Sequence, residues 1–228
     1  MRIIQKVLKW LFVFFFSSTL LAVLYYKFFP VHYTPLMFIR CAQNYSKNKP
    51  VAIHHKWVPI DSISPYLPVA VIASEDQNFL SHHGFDFDAI QDAVRERMEG
   101  ERMRGGSTIS QQTAKNVFLW PKSSWVRKGF EVYFTVLIEL LWSKERIIEV
   151  YLNSIEMGPN IYGAHAVAQY HFGCKPSQLR RSDCALIAAT LPNPIRFSSL
   201  RPSKYMRKRQ KQIKQQMHYI PFLKAKEK

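Results

Sequence analysis

The sequence predicts an all-α domain carried on one N-terminal transmembrane helix. Three observations predict it. An uncharged apolar run, Leu11 to Tyr26, stands near the N-terminus. Behind it, apolar residues recur at helical spacing in segment after segment, with serines and glycines at the ends. Strand-like alternation is scarce, and neither an internal repeat nor a low-complexity segment precedes the basic C-terminal stretch.

With Trp10 the apolar run makes about 17 residues, or roughly 25 Å of helix. That is the short end of what crosses a hydrocarbon core of about 30 Å. Trp10, Tyr25 and Tyr26 sit at its ends, where interfacial aromatics belong. Arg2, Lys6 and Lys9 precede it and no clear small-x-small cleavage site follows, so residues 1–27 read as an uncleaved signal anchor. Lys27, Arg40, Lys47 and Lys49 lie beyond it, so loop charge does not fix the orientation. Residues 28–60, with Pro30, Pro35, Pro50 and Pro59, read as a linker into a domain over 61–200.

Within that domain, "PYLPVAVIASEDQNFLSHH" begins a helix at Pro65. "DFDAIQDAVRERMEG" places Phe87, Ile90 and Val94 on one stripe. "GERMRGG" reads as a loop, with Ser107 as cap of a helix to Asn116. "SSWVRKGFEVYFTVLIELLW", Ser123 to Trp142, is mostly apolar and is expected to be the central buried helix. Ser143 caps "KERIIEVYLN", and further helices fit 160–171, 176–190 and 202–218.

The chain has 228 residues and is 47% hydrophobic, enough for a core without disulfides. Three cysteines, Cys41, Cys174 and Cys184, do not make a disulfide framework. The formal charge is +16, and residues 201–228 carry ten Lys or Arg against Glu227. Such a balance suits a polyanion or an anionic membrane surface.

Three polar clusters interrupt the apolar scaffold. In "SEDQNFLSHHG", Glu75 and Asp76 follow an apolar run directly. They read either as solvated acids at a helix boundary or as a base whose pKa burial raises. In "RGGSTISQQTAKN", a helix puts Thr108, Gln111, Gln112 and Lys115 on one face. That stripe is an ordinary wet face, or it binds a hydroxyl-rich ligand ending in an anion. Gly105 and Gly106 permit close backbone approach at the helix start. The G-K-[ST] of a nucleotide loop is absent. In "RKGFE", Arg127 and Glu131 stand four apart and need partners in so apolar a helix. They form a structural ion pair, or they hold a diphosphate with a divalent cation on Glu131. His82 and His83 lack metal-ligand spacing and read as capping or packing residues.

Taken in order, "EDQNFLSHHGFD", "GGSTISQQTAKN", "RKGFE", "KERIIEVYLN" and "ALIAATLPNP" resemble the five motifs of the peptidoglycan glycosyltransferases, glycosyltransferase family 51. The short chain and single anchor resemble the monofunctional members of that family. The resemblance covers about Val69 to Pro194. It implies a lysozyme-like helical head, a smaller membrane-dipping jaw, and lipid II as substrate. It implies β-1,4 glycan extension with inversion and release of undecaprenyl diphosphate. Glu75 would be the general base, and Lys115, Arg127 and Lys128 would hold the diphosphate. Glu131 would position those cations or a divalent metal, Mg2+ or Mn2+. Ser107, Thr108, Gln111, Gln112 and Asn116 would order the site and contact substrate, with Asp76, Phe79, His82, Gly84 and Gly106 among the substrate-binding positions. The partners implied are the growing glycan, the membrane, and cell-wall synthesis or division proteins. The location implied is the bacterial cytoplasmic membrane, with the catalytic domain on its outer side.

A transpeptidase would need S-x-x-K with S-x-N and K-T-G companions, and neither S-x-x-K nor K-T-G is expected here. A lysozyme-like lytic enzyme is the nearer alternative, although cations accompany Glu75 where a hydrolase often has a second acid. A nucleic-acid-binding protein would interleave more aromatics among residues 201–228 than Tyr205, Tyr219 and Phe222, so the tail reads as a membrane-surface helix. Removal of residues 1–27 is expected to leave an active domain.

Overall fold

The computed structural model describes residues 2–98 and 106–223. The uncharged run lies in helix α1, Arg2–Phe28, which is long and apolar enough to cross a membrane. Most of its side chains stand free, Phe14 being 72% exposed. Toward its C-terminal end one side is packed, although Leu21 and Phe28 stay exposed. Val23 is fully buried, and its carbonyl accepts the Trp142 indole N–H at 2.9 Å. The Thr19 and Tyr133 hydroxyls share a 2.8 Å bond. The Arg146 guanidinium donates to the carbonyls of Tyr26 at 2.9 Å and Phe29 at 2.6 Å, satisfying groups that a helix end leaves unpaired. Helix α1 is thus built into the domain at its C-terminal end.

Residues 28–60 are not a plain linker. Helix α2, Pro35–Ser46, starts at Pro35, where a proline fits because the first-turn N–H has no partner to lose. Its Leu36 and Met37 are buried against Tyr162. Strand β1, His54–His55, pairs parallel with β3, Ile161–Tyr162, and β3 pairs antiparallel with β2, Glu156–Gly158. The order is β1-β3-β2.

Helix α3, Tyr66–Glu75, is apolar on every side, and Leu67 through Ala73 are all buried. A helix of that kind belongs at a core. It packs on α9, Arg181–Ala188, and α10, Lys204–Gln216. The expected helix over 176–190 is divided: a 3-10 turn covers Pro176–Gln178, and α9 restarts where Asp183 accepts the Arg180 N–H at 3.0 Å. Helix α7, Lys144–Ser154, capped by Ser143 as expected, also runs through the core. Helix α8, Gly163–Phe172, ends at Gly173 in the left-handed region.

Helix α6, Trp125–Leu141, is not the central buried helix. Phe134, Thr135 and Ile138 face inward, but Trp125 is 92% exposed and Leu140 75%. An apolar outer face beside α1 continues the surface that the anchor presents. Helix α4, Phe87–Met98, leaves Phe87 exposed, so the expected stripe does not face the core there. The side chain of Val94 and the loop over 99–105, with Gly105, lie outside the described residues. Cys41, Cys174 and Cys184 are all free.

Candidate active site

Helix α5, Ile109–Phe118, is the axis of the site, and its cap is Thr108 rather than the expected Ser107. The Thr108 hydroxyl accepts the Gln111 N–H at 3.2 Å, and Gln111 Oε1 accepts the Thr108 N–H at 3.0 Å. This capping box satisfies two donors at the helix start. It also commits Thr108 and Gln111 to the fold, with both side chains buried.

The same helix start is tied to the segment after α3. Asp76 accepts the Ile109 N–H at 2.9 Å and the His82 Nε2–H at 2.9 Å. His82 Nδ1 accepts the Gly84 N–H at 3.0 Å, which assigns the proton to Nε2. The Thr108 hydroxyl donates to the Gly84 carbonyl at 2.7 Å. Gly84 has φ of +93°, and a Cβ there would stand 2.9 Å from the Thr135 Cγ2. No other residue fits that turn without displacing α6. Phe79 is fully buried beneath the Lys144 ammonium, 4.6 Å from the ring. Asp76, Phe79, His82 and Gly84 therefore stand behind the cleft as its frame. Gly106 is exposed and Ser107 half-buried at its rim, while His83 is exposed.

On this frame the structure brings together the rest of the expected set. Glu75 ends α3 with its carboxylate turned to α5. Gln112 Nε2 donates to Oε2 at 3.1 Å, and the Ser74 hydroxyl leans on Oε1 at 3.4 Å. The Tyr151 hydroxyl, from α7, donates to Gln112 Oε1 at 3.1 Å and fixes the amide's direction. Burial pushes the Glu75 carboxyl above its ordinary range, and the amide and hydroxyl donors offset this only in part. The position adds to it, since a helix C-terminus disfavours negative charge.

One turn along α5, Lys115 faces the cations of α6. Arg127 Nη1 donates to Glu131 Oε2 and Lys128 Nζ to Oε1, each at 2.5 Å. The Lys115 ammonium is held below its ordinary value first by burial, then by the neighbouring Arg127 and Lys128; Glu131 and Glu75 oppose this. Three cations against one carboxylate leave an excess positive charge in a half-dry recess. The Arg127 Nε and the buried Asn116 Nδ2 have no partner among the described residues. A recess with that charge surplus has the chemistry to take a multiply charged anion.

Beside Lys115 runs a groove of about 300 Å³, lined by Gln112, Asn116, Arg40, Glu156, Trp120 and Asn193 among others. Arg40 donates to Glu156 at 3.1 Å across its floor. Arg40 was invisible in a stretch read as linker. Tyr151 and Asn193 lie inside recognised motifs, "YLN" and "LPNP", and those motifs were the signal that could have found them.

These residues do not furnish a protein-held divalent-cation site. Both Glu131 oxygens are already taken by cations. Among the described residues no three His, Cys, Asp or Glu side chains are grouped so as to hold a metal ion. The letters S-x-x-K do occur once, at Ser46–Lys49, but Ser46 is exposed with its hydroxyl on the Gln43 carbonyl, and no K-T-G exists in the sequence.

The comparisons with known proteins agree with this geometry. The family model described as Transglycosylase matches residues 43–218. The chain belongs to the transglycosylase family. The family's domain is lysozyme-like, which accords with the helical architecture. A curated relative from Bacteroides thetaiotaomicron, named biosynthetic peptidoglycan transglycosylase, is 61% identical over 96% of this chain and 89% of its own length. Proteins of the same name from Caulobacter vibrioides and Bdellovibrio bacteriovorus are 49% and 50% identical over 93% and 92% of this chain, and 90% and 85% of their own lengths. The match runs through α10, so residues 201–218 lie inside the family domain and not beyond it, as the motifs alone had suggested.

Proposed function

We propose that this glycosyltransferase polymerises lipid II into β-1,4 glycan. The observation that carries the reading is the pairing on one helix, α5, of two opposite environments. At one end Gln112 presents a cation-poor carboxylate, Glu75. At the other, Lys115 joins an excess of cations. Glu75 takes the proton from the acceptor 4-hydroxyl as its oxygen attacks the donor anomeric carbon. The bond from that carbon to the diphosphate oxygen breaks, and the leaving charge falls on Lys115, Arg127 and Lys128. Attack opposite the leaving group inverts the anomeric centre. Base catalysis of this kind contributes about 10²–10⁴-fold. Fixed cations at the developing charge contribute a term at least as large.

Asn116, Arg40, Glu156 and Asn193 would line the path of the sugars and peptide away from the diphosphate. Helix α1 is the anchor in a bacterial cytoplasmic membrane, and the exposed apolar face of α6 lies along the same surface. In this reading the cleft meets its lipid-linked substrate on the outer side of that membrane.

Labelled lipid II incubated with the wild-type protein should give long glycan, and Glu75→Gln should give none. Polymer from Glu75→Gln would overturn the base assignment. Release of muropeptides from finished wall, without polymer from lipid II, would establish the lytic reading instead. The anchor's role is also open to a cut. Because Val23, Tyr26 and Phe29 receive side chains of α6 and α7, removal of residues 1–27 is expected to lower the melting temperature. Removal of residues 1–13 should leave it within a degree or two, since those side chains touch little of the domain.

A further inference from the structure

Arg209 lies in the basic segment to which the motifs assign no role. In α10, Met206, Ile213 and Met217 are buried, whereas Lys208, Lys211 and Lys214 are exposed. Arg209 comes three residues after Met206 and four before Ile213, which turns it toward the core side of the helix. It is half-buried, and its Nη2 donates to the Ser74 carbonyl at 3.4 Å. Ser74 immediately precedes Glu75, and its hydroxyl leans on the Glu75 carboxylate. The register of α10 is held independently. Gln210 Nε2 donates to the Ser182 carbonyl at 2.7 Å, and Arg181 Nη2 to the Lys214 carbonyl at 3.2 Å.

We infer that Arg209 is a positioning residue for Glu75: it holds the last turn of α3 and sets a positive charge near the base carboxylate. The inference rests on the reading of Glu75 as the base. The groups facing Glu75 can be named element by element. Asp76, next in the chain, opposes its ionisation, and so does the burial that α5 and α7 impose. Tyr151, from α7, is neutral. Lys115, from α5, and Arg209, from α10, favour the ionised form. Lys115 is shared with the cations of α6, whereas Arg209 is tied to the last turn of α3 through the Ser74 carbonyl. The basic C-terminal helix thereby acts on the chemistry through the backbone that carries Glu75.

The test is the pH dependence of lipid II polymerisation by the full chain. Arg209→Met and Arg209→Gln both remove the charge, and Gln keeps a donor for the Ser74 carbonyl. Both should lose about three- to tenfold more rate at the acid end of the profile than at the alkaline end. Arg209→Lys should restore most of the acid-end rate. Lys208→Met, the same loss of charge on the exposed face, should run parallel to wild type. A uniform loss across pH in the Arg209 variants, or no rescue by Lys, would overturn the inference and leave a structural role only. A Glu75→Gln control separates the two failures. If it polymerises, the base reading is wrong. If it is inert while Arg209→Gln runs parallel to wild type, only the role of Arg209 is wrong. Should Arg209→Met fail to fold, the Gln and Lys variants carry the test.

Discussion

The cleft contains two carboxylates at the ends of one polar stripe, and the fold treats them in opposite ways. Glu131 is buried with a guanidinium on one oxygen and an ammonium on the other, both at 2.5 Å. Glu75 receives an amide and a weak hydroxyl contact, with its cations at a distance. Glu131's lone pairs are spent on organising cations, whereas those of Glu75 remain available for a proton. The same residue type thus does two jobs, and the neighbours decide which. A carboxylate with no cation bonded to it in a dry site is a base in waiting, and a carboxylate saturated by cations is a scaffold for them.

The largest expected effect breaks the comparison at its reactive end. Glu75→Gln should cost at least about 10²-fold in polymerisation. It should also raise stability at neutral pH. Burial raises the folded-state pKa of Glu75, so the folded chain binds this proton more tightly than the unfolded chain. Its contribution is therefore full in acid and is lost as pH rises through the folded-state value. The amide carries no such loss. Melting curves should show Glu75→Gln above wild type at neutral pH and level with it in acid. A lower melting temperature at neutral pH would mean that the carboxylate is better accommodated than its partners indicate.

Glu131→Gln attacks the other end and should reverse the sign on stability. It leaves Arg127 buried beside Lys115 with no carboxylate between them, and breaking a buried ion pair costs about 3–5 kcal/mol. Activity should fall as well, because the cations lose their geometry. A variant that melts with wild type would show that solvent already screens the cluster. The free protein's melting temperature should not respond to Mg2+ or Mn2+, since both Glu131 oxygens are engaged; a rise that saturates with metal would reveal a site these side chains do not form unaided.

How legible this site was depends on whether chemistry or context makes the signal. Glu75, Lys115, Arg127 and Glu131 stood out because charged groups in apolar helices need a reason. The framework residues were legible as motif letters but not in their roles. Nothing local says that Thr108 and Gln111 cap each other, or that His82 turns to Asp76. Helix α2 was hidden because prolines read as breakers, and Pro35 occupies the first helical position, where it does no harm. Strands of two or three residues have no period to detect. Helix α6 was misplaced because apolar content does not distinguish a buried core helix from one with an exposed apolar face. Arg209 lacked any signal, since its meaning comes from where α10 lands on α3.

A smaller prediction sharpens the comparison from one step further out. Gln112 stands between Glu75 and Tyr151, giving its N–H to one and taking the O–H of the other. Gln112→Leu removes the main hydrogen bond to the ionised base and should move the acid limb of the rate profile to higher pH, because that bond favours the charged form. Tyr151→Phe leaves Gln112 in place but frees its amide to turn over. In the turned state the amide oxygen faces Glu75 and repels it. A few-fold loss, greatest at acid pH, should result, with about 1 kcal/mol of stability lost for the half-buried acceptor left unpaired. If Tyr151→Phe lost stability alone, with an unchanged rate profile, the amide would be oriented by other means. The contrast between the two carboxylates would then be set by Gln112 and burial without help from α7.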